Sequence, residues 1–150
     1  MPYHLLTQFK KPKRTVTRAF LHCSASNKPE HDNPNVIGKW HRERGFSSIG
    51  YHFVITKDGS VWTGRDIEFT PAAQQGNNRA TIAICLTGLA EFSEAQFKSL
   101  RDLCHEINEE YESEITFHGH CEVSAKSCPV FDYRQVLNLS PDGRLNQRSA

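Results

Sequence analysis

The chain predicts an α/β fold: one central mixed β-sheet flanked by helices, in a single domain. Three observations carry this. Short apolar runs alternate with stretches of helical periodicity along the chain, the pattern of strands interleaved with helices. The run Thr81-Ile82-Ala83-Ile84-Cys85-Leu86-Thr87 is nearly continuous in apolar character, as a strand covered on both faces must be. Finally, 150 residues with 37% hydrophobic and 23% charged side chains suffice for one core and are too few for two.

The elements follow in order. Residues 1 to 18 carry Lys10, Lys11, Lys13, Arg14 and Arg18 and no acid, and read as a basic, solvated, loosely held arm over 1–17. Arg18 to Cys23 reads as a short buried strand, and Ser24 to Asp32 has turn composition. Asn33 is an N-cap with Pro34 at the first helical position, and Val36, Ile37, Trp40 and His41 recur at helical spacing until Gly45. Tyr51 to Thr56 alternates as a strand, with Tyr51, Phe53 and Ile55 on one face and His52, Val54 and Thr56 on the other. Lys57-Asp58-Gly59-Ser60 is a hairpin turn and Val61-Trp62-Thr63 returns. The Gln-, Asn-, Pro- and Gly-rich stretch Thr70 to Ala80 reads as an exposed loop before the central strand. Ser93 and Gln96 form a capping-box pattern that opens a long helix with Phe97, Leu100, Cys104, Ile107 and Tyr111 on one stripe. Ile115-Thr116-Phe117 is a short strand, Asp132 caps a last helix through Val136 and Leu137, and the tail 138–150 is irregular. The folded domain thus spans 18–137.

The net charge of +1 gives no general pull toward nucleic acid or membranes, although residues 91 to 114 carry eight acids against Lys98 and Arg101. No apolar stretch approaches the roughly 20 residues of a membrane span, and no charged-then-apolar leader opens the chain. Five cysteines at irregular spacing argue against a disulfide framework, so the expectation is a soluble protein made in a reducing cytoplasm; a monomer is expected.

The segment His118 to Cys128, HGHCEVSAKSC, places two imidazoles, an amine and a thiol in one polar loop. Imidazole nitrogen and thiolate sulfur suit zinc, and three such ligands leave a tetrahedral position open for a reactive water. His22, ending the run Ala19-Phe20-Leu21, is the candidate third ligand from elsewhere in the chain. Spacing alone does not choose between His118 and His120. Lys126 is a candidate oxyanion donor and Tyr51 a candidate for orienting a reacting oxygen. His4, His31, His41 and His105 read as surface or packing residues, Cys23, Cys85 and Cys104 as core, and Cys121 has no assigned role.

Several segments together resemble a known family. They are Phe20-Leu21-His22-Cys23-Ser24-Ala25, Trp40-His41, Gly50-Tyr51-His52-Phe53, Asp58-Gly59, Gly64-Arg65-Asp66, Ile82-Ala83-Ile84-Cys85-Leu86, His120-Cys121-Glu122-Val123, Lys126-Ser127-Cys128-Pro129 and Phe131-Asp132. In this order, over roughly 18 to 137, they resemble the zinc-dependent N-acetylmuramoyl-L-alanine amidases related to peptidoglycan recognition proteins, specifically the small single-domain phage lysozymes that are amidases in activity. The resemblance implies that His22, His120 and Cys128 bind one zinc ion, with Tyr51 and Lys126 as catalytic side chains, and so selects His120 over His118. It implies peptidoglycan as substrate, cleavage of the amide between N-acetylmuramic acid and the first alanine of the stem peptide, and release to the wall after cytoplasmic synthesis. Glu122 is then a supporting group rather than the general base. One departure is visible: relatives often carry His-Ala-x-Gly before the central strand, where this chain has Ala73-Gln74-Gln75-Gly76.

Two rival functions fit the same residues. Cys128 could be a nucleophile with His120 as its base, or the domain could bind peptidoglycan without cleaving it. A second protein partner is neither indicated nor ruled out.

Overall fold

The computed structural model describes residues 3–146, so the outer ends of the basic arm and of the C-terminal tail, residues 1–2 and 147–150, lie outside the described residues. Six strands form one mixed sheet: β1 (His4–Leu5), β2 (Arg18–Cys23), β3 (Phe53–Ile55), β4 (Val61–Thr63), β5 (Thr81–Leu86) and β6 (Thr116–Gly119), in the order β1-β4-β3-β5-β2-β6. Strands β3, β5, β2 and β6 run parallel to one another, and β4 and β1 add to the β3 edge antiparallel. The apolar run read as a central strand is β5, all six residues of which are buried. Its neighbour β2 pairs with it from Arg18↔Thr81 to Cys23↔Leu86.

Three helices cover the sheet: α1 (Pro34–Glu43), α2 (Glu94–Glu110) and α3 (Tyr133–Leu137). The caps are those the sequence specifies. The Asn33 side chain accepts from Asn35 N, Asp132 from Gln135 N, and Ser93 with Gln96 closes a reciprocal capping box, each cap contributing about 1 kcal/mol. Leu100, Leu103, Cys104 and Ile107 of α2 bury against Ala19, Leu21, Phe53, Ile55, Ile82 and Ile84 on one face of the sheet, together with Leu137 of α3. On the other face, Ile37 of α1 packs with Ile49, Val54 and Cys85. No helix among the described residues is long and apolar enough to cross a membrane.

The N-terminal segment is not a loose arm. Phe9 is 2% exposed within the α2-side core, edge-on to Phe53 with ring centroids 6.2 Å apart, and its amide donates to Glu106. Arg14 reaches inward to the carbonyls of Ile67 and Thr81, and Val16 is buried. Buried Phe9, Pro12 and Val16 anchor it, while Lys10, Lys11 and Lys13 stay exposed, Lys11 lying over the Tyr111 ring. The C-terminal tail is irregular but docked: Leu145 is buried, and Gly143 O accepts from Phe117 N along the β6 edge.

A second correction concerns Tyr51. Expected on the Phe53 and Ile55 face, it packs instead with Ile37, Val54 and Cys85 on the α1 side. The regular ladder starts only at Phe53; before it the backbone bends at His52, whose N–H donates to Ala83 O and whose carbonyl accepts from Gly64 N, so strict alternation does not extend back to residue 51.

Because Phe9 is a core residue, Phe9→Ala should destabilise the protein by about 3–5 kcal/mol, read from urea unfolding midpoints. A loss below about 1 kcal/mol would mean that the segment is dispensable to the core.

Candidate metal and catalytic site

Parallel pairing sets the site. Ala19 and Leu21 of β2 face α2, so the pleat turns Phe20 and His22 to the opposite face, at the C-terminal edge of the strand. β6 runs parallel beside β2 and ends at Gly119, which brings the next residue, His120, to the same edge. The His22 and His120 rings lie with centroids 4.7 Å apart. A turn of 3-10 helix, His120–Glu122, starts the connecting loop, and Cys121 N donates to Cys128 O at 2.7 Å to close it. Closure returns Cys128 to the end of β2, where its sulfur accepts from Cys23 N at 3.1 Å and lies 3.8 Å from His22 Nδ1. One ligand atom from each of His22, His120 and Cys128 falls within a mutual 4.8 Å.

The donor set fits a zinc ion. With Zn–N and Zn–S bonds of normal length, the N···S edge of a tetrahedron is about 3.6 Å, close to the spacing of His22 Nδ1 and Cys128 Sγ. Burial, reinforced by His120, lowers the His22 pKa to about 3, so the imidazole is neutral with a lone pair to donate. His120 is lowered too, by burial and then by the Lys126 charge. Without a cation the Cys128 thiol is pushed up, first by its hydrogen bond with the Cys23 thiol and then by burial, while the Cys23 amide works the other way. A divalent cation reverses that balance, because a coordinating thiol loses its proton outright.

The surrounding groups are ordered by hydrogen bonds. His22 Nε2, turned away from the cluster, lies 2.8 Å from Oε1 of Gln74, a side chain with no exposed surface. Glu122 ties down the loop: its carboxylate accepts from Gly119 N at 2.9 Å, from Tyr133 OH at 2.5 Å and from His118 Nδ1 at 2.9 Å. Burial works to raise the Glu122 carboxyl, but these hydrogen bonds outweigh it and hold it below the usual carboxylate range. His118 has its other nitrogen on Thr116 Oγ1 at 2.7 Å, so both nitrogens are engaged away from the cluster. That geometry separates His118 from His120, which spacing could not do.

Tyr51 stacks at 5.0 Å from the His22 ring and 5.2 Å from that of His41. Burial, then the nearby thiols of Cys85, Cys128 and Cys23, raise its phenol well above the ordinary value. Lys126 sits exposed on the loop, near enough for its charge to act on both His22 and His120. All five residues singled out in the sequence therefore gather at one edge of the sheet.

Sequence reasoning missed Gln74. It lies in the stretch expected to be an exposed loop, but Gly50 lets that loop approach: a β-carbon at residue 50 would stand 2.1 Å from the Ala72 carbonyl oxygen. The only trace in the sequence was the departure from His-Ala-x-Gly. His41 is a buried packing residue, as one of the two expected alternatives had it, and accepts from Gly50 N at 2.7 Å.

Three buried histidines make stability acid-sensitive. Burial is the leading cause in each, lowering His22 from 6.5 to about 3 and His41 and His52 to about 4. The unfolded chain therefore binds more protons below about 6.5, and stability that is complete above that pH is lost as the pH falls toward 4. Urea midpoints of the metal-free protein should drop clearly between pH 7.5 and 5; an unchanged midpoint would contradict the assignment.

Residues 12–131 match the family described as N-acetylmuramoyl-L-alanine amidase. The chain is 36% identical over 136 residues to the endolysin of Escherichia phage T7, covering 85% of this chain and 89% of that one. It superposes on the N-acetylmuramoyl-L-alanine amidase LysC from Clostridium intestinale with a TM-score of 0.74 at 27% identity, over 83% of this chain and 85% of that chain. A likeness in fold extends to a complex of peptidoglycan recognition protein ectodomains, with a TM-score of 0.75 at 21% identity over 93% of this chain and 90% of that one. The family match over most of the chain, with the endolysin relative at this identity, places the protein in the N-acetylmuramoyl-L-alanine amidase family.

Proposed function

We propose that this protein is a zinc-dependent peptidoglycan amidase of the phage endolysin type. It hydrolyses the amide joining N-acetylmuramic acid to L-alanine, with the metal held by His22, His120 and Cys128 and the reacting amide served by Tyr51 and Lys126. The observation that carries this reading is the convergence of two imidazoles and one sulfur within 4.8 Å at the edge of the sheet. A zinc ion bound there would polarise the amide oxygen and lower the pKa of a coordinated water toward about 7.

The chain's own groups divide the remaining work. His22 and His120 are neutral donors and Cys128 supplies the one negative charge, so the ligand set leaves net positive charge at the site. Tyr51, with its phenol pKa raised by burial, stays protonated at neutral pH and acts as a hydrogen-bond donor to a reacting oxygen rather than as a base. Lys126 brings an ammonium to the exposed side of the imidazoles, where it can donate to the oxyanion that develops as the amide carbon becomes tetrahedral. Glu122, held by Tyr133, His118 and Gly119, keeps its charge on the loop's framework and out of the ligand set. In the nucleophile reading His120 would be the base for Cys128, but the imidazole hydrogen bond of the sulfur is to His22 Nδ1, at 3.8 Å. The endolysin relatives point to the cell wall as the place of action.

Digested peptidoglycan should yield free stem peptides beginning at alanine, identified by mass spectrometry. Cys128→Ala should lose both zinc and activity. Lys126→Ala should keep one zinc per chain and lose about 100-fold or more in turnover; full activity in this variant would remove Lys126 from the mechanism. Activity that survives chelation and is lost on thiol alkylation would overturn the metal reading in favour of a cysteine nucleophile.

A further inference from the structure

We infer that Gln74 is a positioning residue for the metal site: a buried amide, locked in one orientation by Thr81 and Asn78, that holds the proton of His22 on Nε2 and so presents the bare Nδ1 to the ligand cluster. The inference deepens the proposed function and rests on it for its consequence, metal affinity, but its structural content stands on the hydrogen bonds alone.

An imidazole can offer a metal only the nitrogen that lacks a proton, and the partner of the other nitrogen decides which one that is. Here the partner is a glutamine, whose amide could in principle present either its oxygen or its NH2. The chain of contacts behind it removes the choice. Thr81 Oγ1 donates to Asn78 O at 2.7 Å, which uses its single proton, so toward Gln74 it can only accept. It lies 2.7 Å from Gln74 Nε2, and Asn77 O, a pure acceptor, lies 3.3 Å from the same atom. Both neighbours demand the NH2, and Oε1 is left facing His22 Nε2 at 2.8 Å. That oxygen can only accept, so the His22 proton sits on Nε2 and the Nδ1 lone pair points to the side where Cys128 Sγ lies at 3.8 Å.

The backbone of the loop is fixed by the same residues. Asn78 Oδ1 accepts from both Ala73 N and Gln74 N, at 3.0 and 2.9 Å, and Ala72 N donates to Gly50 O at 3.1 Å. Gln74 itself has no exposed surface, so water does not compete for the contact. A glutamine placed in this way does no work for the exterior of a loop. Among the described residues, its one hydrogen bond outside its own loop and the start of β5 is to His22.

The test compares Gln74→Leu with Gln74→Glu. The first keeps the bulk and removes the acceptor; the second keeps an acceptor for Nε2–H, and the Thr81 hydroxyl can turn to donate to it. Zinc affinity is measured by competition with a chromophoric chelator, and the His22 tautomer by long-range 1H–15N correlation on the metal-free protein at pH 7.5. The wild type should show the Nε2–H tautomer. Gln74→Leu should show tautomer mixing and bind zinc about 10- to 100-fold more weakly, whereas Gln74→Glu should keep the tautomer and bind within about 3-fold of wild type. A loss of thermal stability alone, equal in the two variants and without change in tautomer or affinity, would reduce Gln74 to a packing residue and overturn the inference. An Nδ1–H tautomer in the wild type would overturn it directly, and this readout needs no variant to fold. Should the wild type take up no zinc through these residues, the proposed function fails on its own account, and the tautomer alone then decides the role of Gln74.

Discussion

The site depends on β2 being held between two parallel strands. With β5 on one side and β6 on the other, every residue from Ala19 to Cys23 is buried, and the apolar members alone stabilise the sheet by about 1.5–3 kcal/mol for each large side chain. Nothing in this arrangement is free to slip: a shift of one residue would turn His22 into the α2-side core and Leu21 toward the cluster. Parallel pairing also means that β2 and β6 deliver their C-terminal ends to one edge, so a histidine ending one strand and a histidine following the other meet without any special device. The loop to Cys128 then has only to close on itself and reach the amide of Cys23.

The electrostatics follow from that burial. The same desolvation that makes His22 a poor base makes it a ready ligand, neutral across the physiological range. Burial also disfavours the Cys128 thiolate, and Lys126 adds positive charge from the solvent side; a divalent ion balanced by one thiolate would suit such a set. Among the described residues no carboxylate joins the ligand group. Glu122 is spent on Gly119, Tyr133 and His118, where it fixes the turn that carries His120, and its charge is answered by Arg134 at 3.6 Å. Support for the two imidazoles thus comes from different elements: Gln74, on the loop before β5, bonds His22, and Glu122, in the loop after β6, bonds the Gly119 amide just before His120.

Much of this was legible from residue order. The mixed sheet, the central position of β5 and the caps at Asn33, Ser93 and Asp132 could be read, because each is announced locally, and the motifs named the three residues, His22, His120 and Cys128, that the fold brings together. What could not be read was decided by contacts distant in the chain. Phe9 is one aromatic in a basic segment, and its burial depends on a pocket made by Phe53, 44 residues later by the numbering. The face of Tyr51 turned on a backbone bend at His52 that alternation cannot foresee. His118 and His120 differ in their surroundings because the strand ends between them and Glu122 takes up the first. Gln74 looked like loop surface because its neighbours are polar, and only the close approach permitted by Gly50 brings it inside.

The most direct test of the central claim is X-ray absorption at the zinc edge on protein loaded with one equivalent of zinc. Two imidazole nitrogens at about 2.0 Å and a single sulfur at about 2.3 Å, with one further light-atom scatterer, are the result this account predicts. A first shell of nitrogen and oxygen with no sulfur would contradict it, because Cys128 would then lie outside the coordination sphere.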